Sequence, residues 1–133
     1  MADSRPSVFL SYTRDEVPFV RAVANELQQR GVDVSFDETR LEPGGSWRDT
    51  IDDALQSAKV VIVFVTSKTL ASSFVNFEIG AAFGREKRIV PVFLTEGGRR
   101  DAPRLLSTVG GIDAYDLKPE EVAEQIAEAV NAP

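Results

Sequence analysis

The sequence predicts an α/β domain: an open, mainly parallel five-stranded sheet with helices on both faces. Three observations predict it. Apolar runs of strand length alternate with segments of helical periodicity, the pattern of strand–helix–strand crossovers. One run, VVIVFV at 60–65, is apolar at every residue, as a central strand covered on both faces must be. The chain has 133 residues, 43% of them hydrophobic, which suits one domain with its own core. We read residues 1–133 as that single domain, with an ordered core over about 7–131.

Residues 7–12 (SVFLSY) are the first predicted strand. The helix that follows, 15–29, sets Val17, Val20, Val23, Ala24 and Leu27 at helical spacing, and Gly31 is a natural C-cap. A second short strand spans 32–36. A loop over 37–45 carries Pro43, Gly44 and Gly45 and leads to a helix that Ser46 and Asp49 can cap. That helix uses Ile51, Ala54, Leu55 and Ala58. After the strand at 60–65 and a polar loop at 66–72, Ser72 or Ser73 caps a helix over 74–85. Its Gly80, Ala81, Ala82 and Gly84 permit a close approach to the sheet. IVPVFL at 89–94 is the fourth strand. Pro91 lacks a ladder donor and pushes this strand toward a position with one open side, or toward a bulge. Residues 95–111 are the least regular stretch, with room for a short helix near 103–107. A brief fifth strand, 112–115, precedes a last helix. Pro119 suits its first turn, Glu120 and Glu121 favour its dipole, and Val122, Ile126 and Val130 form its apolar stripe.

Composition narrows the chemistry. The chain has no cysteine, so disulfides, thiolate nucleophiles and cysteine metal sites are excluded. It has no histidine either, which removes Ser-His-Asp triads, imidazole bases and typical zinc sites. The net charge of −6 argues against nucleic-acid binding, which rests on neutralising phosphates. The run at 60–65 is far too short to span a bilayer, and the N-terminus has no apolar h-region of a signal peptide. The expectation is a cytoplasmic domain with no nucleic-acid or membrane partner, either complete in itself or one module of a larger protein.

Right-handed crossovers lead to strand order 2-1-3-4-5, a flavodoxin-like arrangement. In such sheets ligands bind outside the carboxyl ends of the strands, where the order reverses. Here that point lies between strands one and three. The loops meeting there are 12–15 and 66–73, with 37–45 beside them. No G-x-G-x-x-G follows the first strand, and no Walker A motif is present. The acidic positions of a phospho-accepting receiver hold Ser11-Tyr12 and Thr66-Ser67 instead. Glu78 stands out among the acids. It lies four residues after Phe74 and so shares its helix face, bordering a stripe of Phe74, Phe77 and Ala81. A carboxylate beside aromatics at a cleft is placed for charge stabilisation or a raised pKa. The periodicity equally accommodates a solvent-facing Glu78 paired with Arg85 or Lys87.

Four segments, in order, carry a resemblance to a known family: VFLSYTRDE at 8–16, SFDETRLEPGGSW at 35–47, IVFVTSKTLASSFVNFEIGAA at 62–82 and RIVPVFL at 88–94. Together they resemble a TIR (Toll/interleukin-1 receptor) domain over nearly the whole chain, in the bacterial style. The resemblance implies cleavage of the nicotinamide–ribose bond of NAD+, giving nicotinamide and ADP-ribose or a cyclised form. It implies no cofactor and no metal, since NAD+ is the substrate. The family's essential Glu lies four residues after an aromatic, usually Trp, in S-x-W-x-x-x-E. Here the pattern runs from Ser72 through Phe74 to Glu78. Phe74 keeps an aromatic wall but lacks the indole N–H.

The resemblance further implies substrate contacts at Tyr12, Thr13 and Arg14, at Asp37, at Ser72 and at the aromatic after the BB loop, Trp47. Each of these has an ordinary alternative: Trp47 packing on the sheet, Arg14 a solvated charge, Asp37 bonding its own loop. The chemistry suits the residues present. Nicotinamide leaves as a neutral group, and one carboxylate can steady the oxocarbenium-like ion. Trp47 or Phe74 can stack on the cationic ring, and Arg14 can pair with the pyrophosphate. Family members assemble through homotypic TIR contacts, for which the BB loop residues Leu41, Pro43, Gly44 and Gly45 are the candidates. The rival expectations are a non-catalytic TIR–TIR adaptor and a flavodoxin-like domain for some other small ligand.

Overall fold

The sheet has order β2-β1-β3-β4-β5, and every neighbouring pair is parallel. It belongs to a computed structural model that describes residues 6–36, 57–68, 80, 87–102, 106 and 110–131. The strands are β1 (Ser7–Ser11), β2 (Asp33–Phe36), β3 (Val60–Val65), β4 (Arg88–Phe93) and β5 (Ile112–Asp113). The described helices are α1 (Val17–Gln29), α2 (Glu96–Asp101) and α3 (Pro119–Asn131), with a 3-10 turn at Arg14–Glu16. The fold class and strand order are those the sequence predicts, and strand ends differ by a residue or two. The predicted helices at 46–58 and 74–85 and the loop at 37–45 fall largely or wholly outside the described residues.

β3 is buried at every position because both of its faces are covered. Alternation along the strands sorts the core into two layers. Val8, Leu10, Val60, Ile62, Phe64, Val90 and Val92 meet Val20, Val23, Leu27, Val122 and Ile126 of α1 and α3. Phe9, Val61, Val63, Val65, Ile89 and Phe93 form the opposite layer, with Ala58 and Leu106.

α1 follows from its sequence at both ends. Pro18 stands in the first turn, where its missing N–H is no loss. At the other end Val32 N–H donates to Leu27 O at 3.0 Å and Gly31 N–H to Gln28 O at 3.1 Å. This is the Schellman pattern, and it needs a left-handed residue, which Gly31 supplies at φ 82°. Gly31→Ala is expected to cost roughly 1 kcal/mol of stability in urea unfolding, because a Cβ strains that conformation. α3 begins at Pro119 as expected, and Glu121 accepts the Lys118 N–H at 3.1 Å. Arg88 at the start of β4 donates to Ala129 O at 2.9 Å, a cation on the carbonyl end of α3.

One helix is unforeseen, and one expectation about a strand is met. The irregular stretch holds a helix that the sequence does not predict, at Glu96–Asp101, while of the predicted short helix near 103–107 only Leu106 is described, and it is helical. Thr95 caps it, its hydroxyl accepting the Gly98 N–H at 2.9 Å. Pro91, in turn, finds the open side it requires without a bulge. Leu94 N–H donates toward β3 and Ala114 N–H reaches Phe93 O, so odd-numbered residues of β4 face β5. β5 pairs only with Val92 and Phe93, so the donor that Pro91 lacks would have pointed beyond that short ladder.

Candidate functional site

The candidate site lies where β1 and β3 run side by side and the chain leaves them in opposite directions across the sheet. At the end of β1 the backbone turns sharply. Ser11 is fully buried, and Tyr12 is 3% exposed, packed in the layer shared with α1 and α3. Thr13 follows, and the 3-10 turn at Arg14–Glu16 carries the chain into α1.

A buried pair of side chains shapes this turn. Glu16 is 8% exposed and Thr13 is 9% exposed. Glu16 Oε1 accepts the Thr13 N–H at 3.3 Å, and the Thr13 hydroxyl donates to Glu16 Oε2. The Glu16 N–H returns a bond to Thr13 O at 3.1 Å. The turn is thus closed on itself by reciprocal bonds across the T-x-x-E spacing of a capping box.

The neighbouring Asp15 reaches across the crevice. Its Oδ2 lies 2.8 Å from the Lys68 Nζ; Ser67 and Lys68 are already helical just after β3, where the sequence predicts a polar loop over 66–72. The bond and charge of Asp15 hold the Lys68 ammonium above the ordinary lysine pKa. Both groups are largely exposed, so water and salt screen the pair and its share of stability is small. What it does is join the two segments that bracket the switch point.

α2 closes the other side of the β3 end. Gly98 packs so tightly that a Cβ there would lie 2.7 Å from Val65 O and 2.9 Å from Thr66 Cα. Arg99 stands over the Phe93 ring, 4.9 Å from its centroid, and pairs with Asp113 at 2.9 Å, fastening α2 to β5.

Of the residues expected at the site, the structure brings together Tyr12, Thr13 and Arg14 in the turn after β1. The Tyr12 ring faces the core and the Thr13 hydroxyl is engaged by Glu16. Asp37, Leu41, Pro43, Gly44, Gly45, Trp47, Ser72, Phe74 and Glu78 lie outside the described residues. Sequence reasoning missed Glu16, although its spacing from Thr13 was the available signal. It also missed the Asp15–Lys68 pair, whose members stand 53 residues apart. Among the described residues there is no group of three His, Cys, Asp or Glu fit to hold a metal. Nor, among them, is there a helix long and apolar enough to cross a membrane.

Comparisons with known proteins bear on this arrangement. The family model described as TIR domain matches residues 8–130. A 2' cyclic ADP-D-ribose synthase of Acinetobacter baumannii is 30% identical over 130 residues, 92% of this chain and 48% of that protein. An NAD(+) hydrolase of Paracoccus denitrificans is 31% identical over 91 residues, 65% of this chain and 30% of that protein. The chain therefore spans about half the length, or less, of these curated relatives. Among solved structures, a metazoan TIR-STING receptor from C. gigas in complex with 2',3'-cGAMP superposes with a TM-score of 0.76. It is 26% identical, over 95% of this chain and 39% of that one. With its parallel sheet in the order 2-1-3-4-5 and a family match from Val8 to Val130, the chain belongs to the TIR domain family.

Proposed function

We propose that this domain cleaves NAD+ at the nicotinamide–ribose bond, with Glu78 as the catalytic carboxylate. The observation that carries this reading is the similarity over 92% of the chain to a protein named as a 2' cyclic ADP-D-ribose synthase. The second relative, named as an NAD(+) hydrolase, supports NAD+ as the substrate. The junction of the segments after β1 and β3 through Asp15 and Lys68 supports a ligand cleft at the switch point.

In the proposed reaction the electron pair of the C1′–N bond leaves with nicotinamide, which neutralises the pyridinium ring. No acid is needed for that departure. Glu78 stabilises the positive charge that develops on the ribose, or holds a ribose hydroxyl. Water then captures C1′ and loses a proton, giving ADP-ribose. In the cyclised case a hydroxyl of the same molecule takes the place of water. Phe74 and Trp47 wall the pocket, Arg14 pairs with the pyrophosphate, and Tyr12, Thr13, Asp37 and Ser72 complete the contacts. We assign homotypic TIR contacts to Leu41, Pro43, Gly44 and Gly45, and place the reaction in the cytoplasm, in immune or antiphage signalling.

A second reading, a non-catalytic TIR–TIR adaptor, is favoured by one feature: Phe74 stands where NAD+-cleaving members usually carry Trp. Product analysis separates the two. Protein clustered at high concentration or on a scaffold and incubated with NAD+ is expected to release nicotinamide together with ADP-ribose or its cyclic form. Intact NAD+, with TIR binding that Gly44 or Gly45 substitutions abolish, would establish the adaptor instead.

A further inference from the structure

The bonding of Glu16 is unusual for its place in the chain. It occupies the N-cap position of α1, yet its side chain caps nothing in that helix. Both carboxylate oxygens go to Thr13 instead, one to the amide and one to the hydroxyl. A carboxylate that is 8% exposed has surrendered most of its hydration, and the bonds to Thr13 are what compensate it. The positive end of α1 also favours its charge, and Lys68 lies within electrostatic reach.

What Glu16 holds is the segment at which the chain leaves the sheet for the cleft. Tyr12, just before Thr13, is fixed by burial in the core. Asp15, two residues on, is paired with Lys68 beyond β3. Thr13 is the pivot between those two anchors. Its amide and hydroxyl are both committed to Glu16, so the path of the backbone from Tyr12 to Arg14 depends on that one carboxylate.

We propose that Glu16 is a positioning residue for the NAD+ site, setting the Tyr12–Arg14 segment against the substrate through Thr13. The inference rests on the enzymatic reading above. Glu16 holds the Thr13 amide and hydroxyl in place, so that the segment meets the ligand with its backbone already set.

Steady-state kinetics of NAD+ consumption by the clustered full chain test it. Glu16→Ala is expected to raise KM and lower kcat/KM by roughly ten- to a hundredfold, because the segment loses its register. Glu16→Gln is expected to recover kcat/KM to within about threefold of the wild type, its Oε1 accepting the amide and its Nε2 donating to a reversed hydroxyl. Thr13→Val leaves a buried carboxylate oxygen unpaired and is expected to raise KM in the same direction, while Thr13→Ser restores it. Val122→Ala, a core truncation on α3, lowers the melting temperature but leaves KM alone, as a purely structural role for Glu16 would. Should Glu16→Ala fail to fold, Thr13→Val and Glu16→Gln decide on the same readout. A wild-type KM in folded Glu16→Ala, or in Thr13→Val, overturns the positioning role while the enzyme reading stands. A wild-type chain that leaves NAD+ intact overturns both.

Discussion

Glu78→Gln is expected to lower NAD+ consumption by about 10²–10³-fold, equivalent to roughly 2.7–4 kcal/mol of transition-state stabilisation. Glutamine keeps the size of the side chain and removes its charge. The bond to be broken already carries a good, neutral leaving group, so little is left for a protein to supply except negative charge near the ribose and a fixed substrate. With no histidine and no cysteine anywhere in the chain, no imidazole or thiolate takes over that duty. The measurement is nicotinamide release by clustered protein under saturating NAD+. Retention of the far-ultraviolet spectrum and melting temperature shows that the fold is intact. A variant as active as the wild type removes Glu78 from the chemistry.

Gly98→Ala is expected to destabilise the domain by about 2–3 kcal/mol. The added methyl meets main chain, at 2.7 Å from Val65 O and 2.9 Å from Thr66 Cα, so no side-chain rotation relieves it. Either α2 lifts from the end of β3 or the β3 backbone moves. The first response loosens the Arg99–Asp113 pair and the contact of Arg99 with Phe93. The second distorts the chain at Thr66 that leads to Lys68. Urea unfolding reads the loss directly, and a wild-type midpoint would show that α2 can be displaced at no cost.

Much of the fold was legible because its signals are local. β3 occupies the very residues of the apolar run that predicted it, since burial on both faces leaves no polar position to blur its ends. α1 and α3 were legible from periodicity, Pro18, Pro119 and Gly31. α2 was not legible, because Glu96-Gly97-Gly98 reads as a turn by propensity. It is helical because Thr95 caps it and because only glycine fits against the end of β3, a tertiary fact that no local pattern records. The site divides the same way. The Thr13–Glu16 tie lies within one turn and its spacing was readable, whereas Asp15 and Lys68 meet only after the sheet has brought two distant segments together. Glu78 was singled out by its spacing from Phe74, and its assignment rests on that spacing and on the family.

The shortness of β5 bears on the homotypic association proposed for this domain. A sheet grows by offering free amides and carbonyls along its outer strand, and on this side there is little to offer. Two residues form the rim, the strand within it carries a proline, and Arg99 and Asp113 set opposite charges at the border. Strand-by-strand accretion is therefore discouraged at this border. Domains that meet there must do so through loops and helices, whose shapes are specific, and a cluster built that way can come apart again rather than run on into a fibre.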